Sequence, residues 1–94
     1  MQSLTETEIL KLSNDVPKIV GEQIVIFRKL KGLTQTELAE MVGKDRQYLY
    51  KIEKGKVTPN IVTLSIIASA LKISLSELFE STTLNHFLDC NLDI

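Results

Sequence analysis

Apolar residues recur three or four positions apart along most of the chain and nowhere alternate with polar ones between turn residues, which predicts helices throughout. Leu4, Ile9 and Leu12 outline a short helix over about residues 4–13, with Ser3 or Thr5 as its cap. Asn14-Asp15-Val16-Pro17 then reads as a break and restart, because proline suits a first helical turn and disfavours helix in the residue before it. From Pro17 to Lys31 a longer helix carries Val20, Ile24 and Phe27 on one stripe and ends at Gly32. Thr34 to Glu37 forms a capping box that opens a short helix through Met41 or Val42, stopped by Gly43. Asp45 caps the next, Arg46 to Lys54, which ends at Gly55. Thr58-Pro59 opens another through about Lys72, and a second capping box, Ser74 to Glu77, starts a last one through Phe79. Leu84, Phe87 and Leu88 have helical spacing, yet residues 81–94 fit a docked tail equally well.

Gln35 to Glu53 has the pattern of two short helices crossing at a tight turn. Leu38, Val42, Leu49 and Ile52 are the positions that face inward, and Ala39 is small where the two helices approach. Gly43 sits where the turn wants a positive φ. Steps of about 100° around the second of these helices put Gln47, Tyr50, Lys51 and Lys54 opposite Leu49 and Ile52, with Arg46 projecting from the first turn. That outer face offers an amide, a phenol, a guanidinium and ammonium groups, and no carboxylate. Arginine and glutamine are the side chains that bond guanine and adenine edges in the major groove, which admits one α-helix.

Composition narrows the picture. Ninety-four residues, 44% hydrophobic and 24% charged, suit one ordinary globular domain. No apolar run approaches the ~18–20 residues of a membrane span, and the opening residues lack a basic stretch followed by an apolar one, so a cytoplasmic protein is expected. The single cysteine, Cys90, excludes an internal disulfide and a cysteine-rich metal site. His86, the only histidine, has no partner in view for catalysis or metal binding. No nucleophile, base and acid can be assembled, and neither an enzyme nor a cofactor is expected. The net charge of −1 argues at first against a polyanion. It conceals a division: residues 28–56 hold eight basic against four acidic side chains, +4, and the rest hold three against eight, −5.

From about Gly21 to Phe79 the chain resembles the Xre/Cro/lambda-repressor helix-turn-helix family, on the stretches GLTQTELAEMVG, KIEKGK, the TP before the fourth helix, and SLSELF, in that order and spacing. The resemblance implies an all-α domain of five compact helices, to which this chain adds an N-terminal helix and a short C-terminal segment. Residues 1–15 are then the extension, 16–80 the DNA-binding domain and 81–94 the tail. Carried over by position, Arg46, Gln47 and Lys51 match base-contacting sites, with Tyr50 beside them. Gln35 matches a phosphate contact, and Lys54 and Lys56 match the loop that grips the other strand. The family also pairs an arginine of its first helix with the glutamate of its third, here Arg28 and Glu53, a structural and partly buried ion pair.

Three features depart from the family. Lys44 stands at an apolar turn position, which its alkyl stem can partly fill. Tyr48 and Tyr50 replace small polar residues, so no relative's base preference transfers. Val25, Ile26 and Leu30 are apolar where charge is usual, and Ile19, Ile26 and Leu30 make a second stripe that calls for a cover: the N-terminal helix, the segment with Phe87 and Leu88, or a second subunit. The expected function is a transcriptional regulator, a repressor, that binds a near-palindromic operator in double-stranded DNA as a homodimer and excludes or recruits polymerase. The rival is an antitoxin that neutralises a partner toxin and binds DNA secondarily.

Overall fold

Five helices make up the regular structure of residues 3–80, the part of the chain that this computed structural model describes: α1 (Glu6–Leu30), α2 (Gln35–Met41), α3 (Arg46–Glu53), α4 (Ile61–Ala70) and α5 (Leu75–Phe79). Among the described residues there is no strand, and no helix is long and apolar enough to cross a membrane. Residues 81–94, with Leu84, His86, Phe87, Leu88 and Cys90, lie outside the described part.

The helix starts are local chemistry. Thr5, Thr34 and Ser74 each accept the backbone N–H three residues on, from Glu8, Glu37 and Glu77, and each glutamate carboxylate accepts the cap's own N–H in return. Asp45 caps α3 by accepting the Tyr48 N–H at 2.7 Å. For α4 the cap is Asn60, whose Oδ1 accepts the Thr63 N–H at 2.8 Å. The expected opening at Thr58-Pro59 is therefore corrected: Asn60 caps the helix by satisfying one of the first turn's free donors, and the Thr-Pro pair lies in the loop before it.

The expected break at Asn14–Pro17 is absent, and the additional N-terminal helix is the first half of α1 rather than a separate element. An interior proline removes one backbone hydrogen bond and costs about 3 kcal/mol. Packing overrides that loss here. Leu12, Val16, Val20 and Ile24 form one stripe at intervals of four that runs straight through Pro17, with Val16 packed on the core and Val20 and Ile24 buried. Leu12, Val16 and Pro17 also flank Thr58 of the loop before α4.

The core lies between α1 and the arch made by the other four helices. Ile24 of α1, Leu38 of α2, Leu49 and Ile52 of α3, Ile67 of α4 and Leu78 of α5 are buried together, and Phe27 and Tyr48 pack at its edge. Of the second α1 stripe, Ile19 is half-buried while Ile26 and Leu30 are exposed, so no described element covers it.

Candidate nucleic-acid interface

Two short helices and the turns at their ends present the polar face. α2 closes at Val42, and Gly43 follows at φ +71°. Its N–H donates to the Glu40 carbonyl at 3.2 Å, and the Lys44 N–H reaches back to the Ala39 carbonyl at 2.9 Å. Only a residue at ease in the left-handed region turns the chain so sharply from α2 into α3. The ammonium of exposed Lys44 lies 5.3 Å from the centre of the Tyr48 ring, a cation–π contact that ties the turn to α3.

Along α3, Leu49 and Ile52 are buried, which aims the opposite face outward. Arg46, Gln47, Tyr50 and Lys51 are all exposed there. Arg46, Gln47 and Tyr50 surround one hollow with Asp45, and the Asp45 carboxylate is occupied by its helix cap. Arg46 and Lys51 bring donors to that surface, Gln47 and Tyr50 groups that both donate and accept. Gly55 ends α3 with the same turn as Gly43, its N–H donating to Ile52 and the Lys56 N–H to the Lys51 carbonyl. The turn swings Lys54 and Lys56 beneath Tyr50, their ammoniums 5.9 and 5.4 Å from its ring centre. One aromatic ring thus gathers two of the three candidate phosphate contacts beside the candidate base readers.

The third, Gln35, stands across a groove from Lys54, at the start of α2. Its Nε2 donates to Glu53 Oε1 at 2.8 Å. Glu53 in turn takes Arg28 Nε on its other oxygen at 2.7 Å and Arg28 Nη2 at 3.2 Å, a bidentate pair, and Arg28 Nη1 donates to the Leu33 carbonyl at 2.9 Å. Arg28 and Glu53 are buried, and among the described residues no buried side-chain nitrogen or oxygen lacks a partner. This network locks α1, α2 and α3 to one another. Gln35 serves it with one amide hydrogen.

The groove has a further cation that composition by segment left among the acidic remainder. Lys18 of α1 lines it with Lys29 and Lys54, and its stem lies so close to Gly55 that a Cβ there would fall 2.6 Å from Lys18 Cγ. No local pattern joins residues 18 and 55; only the packing of α1 on the end of α3 does.

A helix-turn-helix family model matches residues 24–78. The chain is 40% identical over 68 residues to an uncharacterized HTH-type transcriptional regulator, y4dJ, of Sinorhizobium fredii, which covers 72% of this chain and 88% of that protein. An immunity repressor protein of Bacillus phage phi105 is 40% identical over 65 residues, 69% of this chain and 45% of the repressor, so the chain spans less than half of that relative. Among solved structures, the restriction-modification controller protein C.AhdI from Aeromonas hydrophila is similar at a TM-score of 0.66 and 34% identity, over 68% of this chain and 97% of that one.

Proposed function

The chain belongs to the Xre/lambda-repressor-like helix-turn-helix family of DNA-binding transcriptional regulators, which are not enzymes, and from that premise we propose that it is a repressor holding a near-palindromic operator as a homodimer. The observation that carries this reading is the outer face of α3, where exposed Arg46, Gln47, Tyr50 and Lys51 stand together and the one carboxylate beside them, Asp45, gives an oxygen to the helix cap. In this reading those four side chains contact base edges in the major groove. Gln35, Lys54 and Lys56 hold phosphates on either side and set the register of α3, carrying no sequence information themselves. Two copies of α3, about 34 Å apart, address half-sites one helical turn apart. Occupying a promoter in this way blocks polymerase.

Selecting bound sites from a random oligonucleotide pool with the full chain tests the reading. The expected result is two inverted half-sites at a fixed spacing near 10 base pairs. A pool without enrichment would refute base reading. A second reading, a partner toxin held along α1, is favoured by one observation: Leu10 and Leu30 are 64% and 74% exposed. Its signature is copurification with a second small protein.

A further inference from the structure

We infer that Asp45, the cap of α3, is itself a specificity-determining residue, whose second oxygen accepts the exocyclic amino group of a cytosine in the major groove. Asp45 is exposed and lines one hollow with Arg46, Gln47 and Tyr50. Its Oδ1 accepts the Tyr48 N–H at 2.7 Å. Its other oxygen takes no hydrogen bond from any described residue. The fold therefore engages one oxygen of this carboxylate and leaves the other over.

Helix capping accounts for the first oxygen and not for the charge. The other four helices start at neutral caps, Thr5, Thr34, Asn60 and Ser74. Serine, asparagine and aspartate cap a helix about equally well. Only at α3, whose first turn the proposed function sets against DNA, does the chain use a carboxylate, the one cap that phosphates repel. Its charge does favour the start of α3, which holds no acidic residue in its first turn. An asparagine would lose that help and keep the cap, so the two roles come apart by substitution.

The chemistry of the oxygen selects the base. In the major groove cytosine presents a single polar group, an amino donor; adenine sets the N7 acceptor beside its amino donor, guanine presents two acceptors and thymine one. A carboxylate oxygen only accepts, so cytosine is the base it meets without facing another acceptor. Against guanine or thymine it would stand desolvated and unpaired, which excludes those bases. The Tyr48 bond orders the carboxylate before DNA arrives, and little side-chain freedom is lost on binding. Residues at the start of a recognition helix are those that contact base edges. The Arg46 guanidinium on the same hollow balances the charge of Asp45 there. The role assigned to Asp45 rests on the reading that α3 meets bases, and it gives that face its one group that can only accept.

Site selection from a random oligonucleotide pool, then titration of the selected duplex with each base in turn at the cytosine position, tests this on the wild type, Asp45→Asn and Asp45→Ser. Both replacements keep an oxygen for the Tyr48 N–H, so helix content by circular dichroism should hold. The wild type should prefer cytosine at one position of each half-site by at least ~5-fold, the low end for one good base contact. In Asp45→Asn the cap holds the oxygen and the amino group meets the base, so the preference there should move to guanine or thymine. Asp45→Ser is too short to reach and should leave that position without preference and the rest of the site unchanged. Both should bind random DNA more tightly, because a charge of the phosphates' own sign is gone. Variants that keep the wild-type base preference overturn the inference: if they melt lower, Asp45 serves the helix start alone, and if they only bind all sequences more tightly, it is a repulsive charge. In either case the other base readers stand. A wild type that enriches no site at all refutes base reading by α3 as a whole, and Asp45 with it.

Discussion

Gly21 of α1 lies flat against the last turn of α3, where a methyl group on it would come within 2.5 Å of the Glu53 carbonyl oxygen and of its neighbour from Ile52. Backbone atoms, unlike flexible side-chain ends, have nowhere to retreat. The helix that carries the candidate base readers is therefore held at the shortest distance from α1 that the chain permits. Gly21→Ala should destabilise the domain by about 1–3 kcal/mol through overpacking, although alanine favours helix over glycine by about 1 kcal/mol. Urea denaturation measures it, and a variant as stable as the wild type would mean that the two helices separate freely.

Arg28 and Glu53 make the complementary tie by charge. Removing either partner alone strands the other in a buried position, which costs about 3–5 kcal/mol, a large share of the ~5–15 kcal/mol that hold a small domain. Arg28→Met should be as damaging as Glu53→Leu, and the two together should cost at least ~1 kcal/mol less than the sum of the singles, the coupling expected of residues in one network. Additive losses in a double-mutant cycle would mean that the pair is not the link between α1 and α3.

What the sequence displayed of this fold is mostly what is local. The boxes at Thr34–Glu37 and Ser74–Glu77, the Asp45 cap and the turn at Gly43 each depend on residues within four positions, and each is where its pattern puts it. Pro17 misleads because its effect is local while the force that overrides it is tertiary: the stripe from Leu12 to Ile24 is readable only if one first decides that the helix continues. Asn60 loses to Thr58-Pro59 on paper because a proline is the louder signal, though the asparagine oxygen makes the bond. At the candidate site, periodicity suffices to turn Arg46, Gln47, Tyr50 and Lys51 outward. The Gln35–Glu53 bond, the placing of Lys18 beside Gly55 and the two lysines gathered by Tyr50 join separate elements, and no window of sequence contains them.

Glu37 links α2 to pH. The backbone N–H of Thr34, and after it the Thr34 hydroxyl, hold this carboxyl below its usual value of 4.5, and Glu8 is lowered in the same manner by Thr5. A carboxyl with a lowered folded value adds stability above its unfolded value and loses it as the pH falls through the folded one. Glu37→Gln keeps an oxygen for the Thr34 N–H but no longer titrates. Its urea midpoint should fall less steeply than the wild type's as the pH drops below 4.5. Parallel acid profiles would assign the loss to other carboxylates.

Gln47 and Lys56 separate the two halves of the proposed DNA grip. An amide that bonds a base edge distinguishes one base pair from another, so Gln47→Ala should lose about 1–3 kcal/mol of discrimination at a single position of the operator. Its affinity for unrelated DNA should hardly change. An ammonium on a phosphate sees the same charge in every sequence. Lys56→Ala should thus weaken selected and random DNA alike and reduce the slope of log affinity against log salt by about 1. Tyr50 gives this experiment an internal control, since the ring that gathers Lys54 and Lys56 also stands among the proposed base readers. Tyr50→Ala should then show both signatures together, lost discrimination and a flatter salt slope. Titrations of each variant against one operator and one scrambled duplex, at several salt concentrations, read out all of these effects. If Gln47→Ala and Lys56→Ala weaken both duplexes equally, α3 does not read bases through its outer face.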